Sequence, residues 1–270
     1  MKKQVSGFIM LFLGATMLPN LGSFLYTWAQ DGSEFKQSWI LWLTIILTVL
    51  LVAFGVLRLV GKSILIVDLV ILLGFAIFQG WMLWQNQLAP WIDSGKLDVL
   101  DYSRIVTFIV ALAGIASLFA KKQGAAVVVN TEDWQKKWRW AGVFFALLGL
   151  GTAITLAVIV LSGKEFFLTT TFDAYLGIGI AFFFLLAIIF GFKRPNAFIT
   201  APLLGLSFNF LTEYLWLDQI LRKIGMQIGS QLGQDETTIV ALKLIIGTLG
   251  IFASLFLIIA TQKKEIRILK

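Results

Sequence analysis

Long unbroken runs of apolar residues alternate with short polar gaps along this chain, and nearly every charge lies in a gap. Read between the charged punctuation, eight spans are expected near 5–28, 39–60, 63–84, 104–120, 139–162, 173–192, 198–217 and 237–260. The hydrocarbon core of a bilayer is about 30 Å thick and a helix rises about 1.5 Å per residue, so each run is long enough to cross once. The pattern predicts an all-α fold, a polytopic integral membrane protein of eight transmembrane helices.

The polar gaps also predict orientation. With the amino terminus inside, 15 of the 22 Lys and Arg residues fall in cytoplasmic segments, among them Lys2, Lys3, Lys121, Lys122, Lys136 and Lys137. Only Lys36, Lys96, Arg104, Lys164, Arg222 and Lys223 fall outside, and Lys243 lies within a span. Positive residues are retained on the cytoplasmic side, so both termini are expected there, in a cell membrane. Trp39, Trp42, Trp81 and Trp84 mark the outer boundary, and Trp134, Trp138 and Trp140 the inner one, where an indole ring is half buried and its N–H stays wet. The first span, with Lys2 and Lys3 before it and Thr27-Trp28-Ala29 near its end, is too long for a usual signal-peptide core and is read as a true span.

The two halves resemble each other. Lys2-Lys3, Gly7 and Gly14 precede or punctuate the first span as Lys136-Lys137, Gly142 and Gly149 do the fifth. Phe78, Leu83, Trp84 and Gln87 in the third span match Phe210, Leu215, Trp216 and Gln219 in the seventh, and Asp101–Val106 matches Asp235–Val240. Four spans is an even number, so the two quartets are expected to share one orientation about an axis along the membrane normal. The expected organisation is a first four-helix repeat over 1–122, a cytoplasmic linker over 123–138 and a second repeat over 139–270. The longest outer loops follow the third span of each half. Leu217–Glu236 carries Leu217, Ile220, Leu221, Ile224 and Ile228 on one helical face and predicts an interfacial helix, whereas Gln85–Arg104, interrupted by Pro90 and Gly95, predicts two short surface pieces.

Composition narrows the chemistry. Hydrophobic residues make up 59% and charged residues 14% of the chain, and the mean hydropathy of +0.88 suits lipid rather than a soluble core. The formal charge of +7 is explained by retained cytoplasmic Lys and Arg, so no nucleic-acid partner is expected. The chain has no His and no Cys, which removes the usual ligands for haem, zinc and iron–sulfur clusters and the common thiol or imidazole nucleophile–base pairs. No cofactor, no metal and no enzyme activity are expected. A phosphate-binding glycine loop is also lacking, so an ATP-driven role would need a separate ATPase subunit.

Ionisable groups within spans are costly and are therefore the first candidates for function. Asp68 lies about six residues into the third span, and Arg58 can approach it across the tight inner hairpin at Gly61-Lys62. Glu213 and Lys243 lie at similar outer depths on the seventh and eighth spans and can pair. Gln79, Asn209 and Thr212 are uncharged candidates on the third and seventh spans, either as glue between helices or as the lining of a cavity. Pro19, Pro195 and Pro202 can free helical carbonyls. The outer acids Asp93, Asp98 and Asp101 form a loose carboxylate set, for which a solvated loop is the simpler reading.

Three functions follow. The first is a permease or transporter-like protein moving an ion, small solute or lipid between the repeats, through Asp68, Gln79, Asn209, Glu213 and Lys243. The alternative is a non-transporting membrane partner, such as an assembly subunit, exporter accessory or immunity protein, that binds another membrane protein. An outer-leaflet enzyme built on the three loop acids is third.

Overall fold

In the computed structural model of the chain, the described residues are 2–31, 39–94, 100–119, 127–128, 132–162, 171–192, 195–223, 234–261 and 265–266. They form α1 (Lys2–Asp31), α2 (Trp39–Leu59), α3 (Leu65–Leu83), a π-helical turn (Trp84–Leu88), α4 (Ala89–Ser94), α5 (Tyr102–Phe119), α6 (Glu132–Leu161), α7 (Thr171–Gly191), α8 (Ala197–Lys223) and α9 (Gln234–Thr261). One two-residue antiparallel bridge joins β1 (Val127–Val128) to β2 (Glu265–Ile266). Among the described residues, six helical stretches are long and apolar enough to cross a membrane, namely Trp39–Leu59, Leu65–Asp93, Tyr102–Phe119, Asp133–Leu161, Ala174–Gly191 and Glu236–Thr261. Their outward positions carry Ile66, Val70, Ile77, Phe144, Val158 and Phe182, all exposed. Apolar side chains turned outward on long helices are compatible with a membrane protein.

The two other long helices, α1 and α8, occupy the centre. Every residue from Met10 to Met17 of α1 is buried, and so is most of α8 from Ile199 to Phe210. Helices sheltered from lipid tolerate polar residues, which is why these two also carry Thr16, Pro19, Pro202, Ser207 and Asn209. Each half has its own core. Met10, Leu13, Leu51, Leu72 and Phe75 pack in the first, and Leu156, Ile180, Phe184, Leu203 and Phe210 in the second.

Helix neighbours follow the same order in both halves. In the first, α1 packs on α2 and on α5, and α3 on α5; in the second, α6 packs on α7 and on α9, and α8 on α9. Gly14 and Gly149 occupy matching places, each against the second helix of its half, through Val52 and Phe184 respectively. The match is incomplete. Gly7 meets Leu59 and Gly55 of α2, whereas Gly142 meets Leu257 and Ala253 of α9. The main contact between halves, α1 on α8, has no comparable counterpart between α6 and α3 among the described residues.

Several boundaries differ from the sequence expectation for local physical reasons. The helix α6 begins at Glu132, inside the expected linker, because its first turns dock on α9: the Trp134 and Trp138 rings lie 6.0 Å apart, and Trp138 lies 5.1 Å from Phe256. The segment from Leu217 to Lys223 continues α8 rather than starting a separate surface helix, and 224–233 lie outside the described residues. After α3, Pro90 does not end the helix. A proline has no N–H and its ring crowds the carbonyl four residues back, and here the helix widens into the π-helical turn before resuming as α4. Between α2 and α3, Gly61 adopts φ 83°, with Lys62 N–H donating to Leu57 O at 2.9 Å and Gly61 N–H to Arg58 O at 3.0 Å. This is a Schellman stop, and it turns α3 back directly beside the end of α2.

Candidate functional site

The hairpin between α2 and α3 creates a buried charge pair. Arg58 is in the last turn of α2 and Asp68 in the first turn of α3, so the Gly61 turn sets them side by side, with Arg58 Nη1 2.8 Å from Asp68 Oδ2. Asp68 is fully buried and Arg58 nearly so. The guanidinium is held from two further sides, donating through Nε to Ser6 Oγ of α1 at 3.0 Å and through Nη1 to Ser63 Oγ at 2.8 Å. Asp68 also sits near the amino end of α3, where unpaired backbone N–H groups favour negative charge. Three helices are thereby fastened at one end of the first half.

At the opposite end of the second half, Lys243 Nζ on α9 lies 2.8 Å from Glu213 Oε1 on α8, so the pair expected from the sequence forms. Lys243 is buried and Glu213 is 39% exposed. Because one partner remains half solvated, neutralising Glu213 as Glu213→Gln is expected to cost on the order of 1 kcal/mol. The exchange Glu213→Lys with Lys243→Glu should restore the unfolding midpoint in detergent that either single change lowers. An exchange as damaging as the worse single change would remove the pair from the account.

The uncharged candidates converge on α1. Gln79 of α3 donates through Nε2 to the Met17 sulfur at 3.6 Å, and Asn209 of α8 through Nδ2 to the Thr16 carbonyl at 3.5 Å. Both are buried, so one turn of α1, two residues before Pro19, receives an amide from each half. Thr212 turns inward on α8, its hydroxyl donating to the Phe208 and Asn209 carbonyls. Nearby, the Ser207 hydroxyl occupies the hollow beside Gly250 of α9, and Ser207 and Ser254 are buried without a hydrogen-bond partner among the described residues.

The end of α8 is also joined to the residues just before α5. The Gln219 side chain of α8 accepts from Leu100 N–H at 2.8 Å and donates to Leu100 O at 3.1 Å, a two-bond clamp across 119 residues of chain. Among the described residues the loop acids Asp93 and Asp101 do not come together into a site. Asp101 caps α5, accepting the Arg104 N–H at 3.0 Å and pairing with its side chain at 2.6 Å. Asp93 is exposed, Asp98 lies outside the described residues, and no metal-binding cluster of acidic residues occurs among the described ones.

Of the five sequence candidates, the structure thus brings Gln79 and Asn209 to one turn of α1, Glu213 to Lys243, and leaves Asp68 apart, paired with Arg58. Sequence reasoning missed Ser6 and Ser63, whose only signal is a hydroxyl near the inner end of a span, and the Thr16 carbonyl, for which the nearby Pro19 was a partial sign. In comparisons with protein-family models, curated proteins and solved structures, no match to this chain is found.

Proposed function

We propose that this protein crosses the cell membrane eight times as two four-helix repeats of one orientation, with both ends cytoplasmic, and acts as a non-transporting partner of other membrane-embedded protein. The bridge between Val127–Val128 and Glu265–Ile266 supports an even number of crossings in the second half, since linker and tail meet on one side. The Arg58 contacts to Ser6 and Asp68 likewise gather the ends of α1, α2 and α3 on one side. The shared neighbour order of the helices supports the repeat.

The observation that carries the functional reading is where the intramembrane polar groups are spent. Arg58 faces Asp68, Lys243 faces Glu213, and the Gln79 and Asn209 amides are buried against α1. Groups used this way hold helices together, whereas a substrate site needs polar atoms turned toward an open path. The transport reading keeps one observation in its favour: Gln79 and Asn209 meet beside Pro19, where the halves join and a proline frees a helical carbonyl.

One experiment separates the two. The tagged protein, extracted gently from its own membrane, is expected to retain a stoichiometric partner, and Gln79→Leu with Asn209→Leu should leave that retention intact. If the purified protein in vesicles instead moves an ion or solute, and the double change abolishes the flux while the fold persists, the transport reading replaces this one.

A further inference from the structure

The contact between the halves is one-sided, and its unused complement is on the surface. In α1 on α8, Gly205 of α8 sits so close that a Cβ there would lie 2.7 Å from Ala15 Cβ, 2.7 Å from Phe12 O and 3.2 Å from Thr16 N. The Phe12 and Phe208 rings lie 5.9 Å apart, and Asn209 reaches the Thr16 carbonyl. The register that maps Gly14 to Gly149, the pair that sits alike in the two halves, carries Phe12, Ala15 and Thr16 to Leu147, Leu150 and Gly151 of α6. The register that maps Phe78 to Phe210 carries Gly205, Phe208 and Asn209 back to Leu73, Ala76 and Ile77 of α3.

These counterparts are largely bare. Leu147, Gly151, Leu73 and Ile77 are exposed, Leu150 is half-buried, and only Ala76 is covered. A Cβ added at Gly151, or at Gly74 beside Leu73, would meet nothing within 4 Å. The size relation is inverted but complementary: in α1 on α8 the glycine is on the third helix of a half, and here Gly151 offers the hollow on the first helix of a half, opposite Leu73 and Ile77. Close approach over a glycine is the usual way helices associate in lipid, where no hydrophobic force draws them together.

We infer that the α6 face of one copy packs on the α3 face of a second copy of this chain, repeating between molecules the contact that α1 makes with α8 within one. The inference rests on the two-repeat reading above. Both helices would run from the inner to the outer side, so copies inserted with one orientation can make the contact about an axis normal to the membrane. A head-to-tail contact of this kind propagates until a ring closes, with repeats rather than chains as its units.

The chain has no cysteine, so the test needs no background removal. Leu73→Cys on one tagged copy and Gly151→Cys on a differently tagged copy, co-expressed and oxidised in native membranes, should give a reducible band at twice the chain mass carrying both tags. Each variant alone should remain at single-chain mass, as should the mid-membrane control Val49→Cys of α2 with Phe182→Cys of α7. Gly151→Leu, which has open space within the chain, should abolish assembly of the full-length protein while leaving its unfolding midpoint unchanged. No mixed band, equal bands from the control, or a single-chain mass for the unsubstituted protein in lipid nanodiscs would each overturn the inference. None of these readouts depends on a foreign partner or on flux, and a terminus found outside the cell would instead remove the two-repeat reading.

Discussion

Replacing Asp68 with Leu should lower the stability of the folded protein by about 3–5 kcal/mol, the usual consequence of orphaning a buried charge, and should show as loss of monodisperse protein in mild detergent. The substitution leaves the Arg58 guanidinium enclosed at the ends of α1, α2 and α3, with Ser6 and Ser63 hydroxyls as neutral acceptors but no counter-charge. Arginine stays charged in any protein environment, so it has no protonation escape. Arg58→Met should be milder, because an orphaned carboxylate can take up a proton. The combination Arg58→Met with Asp68→Leu should recover most of the loss, since a buried ion pair replaced by apolar groups of similar volume is often neutral. The relevant quantity is the coupling between the two changes, read from unfolding midpoints of all four proteins. Additive losses, or single changes without effect, would mean that the pair does not hold the hairpin.

The helical skeleton was legible because lipid imposes one rule on every segment: backbone groups are satisfied internally, so apolar runs of sufficient length become helices. The expected runs near 39–60, 63–84, 104–120 and 173–192 agree with α2, α3, α5 and α7 to within about two residues. The misplacements arise where another force acts. Trp138 docks on Phe256 and Trp134 packs on Trp138, so helix extends into the polar linker through a contact with a residue more than a hundred positions away that no local pattern encodes. At Pro90 the sequence predicts a break, but a π-helical turn absorbs the ring. The charge pairs were legible because burial leaves so few partners at a given depth. Ser6, Ser63 and the Thr16 carbonyl were not, because hydroxyls and carbonyls are common and only packing determines which of them meets a donor. The central positions of α1 and α8 have a signal in the sequence: these helices carry both an internal proline and mid-helix polar groups.

That central contact is where the smallest change should act most. Gly205→Ala adds one methyl, but two of the atoms it meets belong to backbone, Phe12 O and Thr16 N, and neither can swing aside as a side chain does. The helices must separate, and because α1 on α8 is the main contact between the halves, the separation loosens both cores at their join. Overpacking of this kind costs about 1–3 kcal/mol for a methyl-sized insertion, and Gly205→Leu should exceed that range by forcing the halves apart. Gly74→Ala serves as the control, since its Cβ would meet nothing within 4 Å and the change can only improve helix propensity, by up to about 1 kcal/mol. Ala15→Gly should rescue Gly205→Ala in part, because it removes one of the close contacts and leaves the carbonyl of Phe12 in place. The readout is the unfolding midpoint of each variant in one detergent, with limited proteolysis between Lys121 and Arg139 reporting whether the halves part company. Equal midpoints for Gly205→Ala and Gly74→Ala would show that α1 and α8 do not approach as closely as a glycine allows, and the account of how the halves are joined would fall with it.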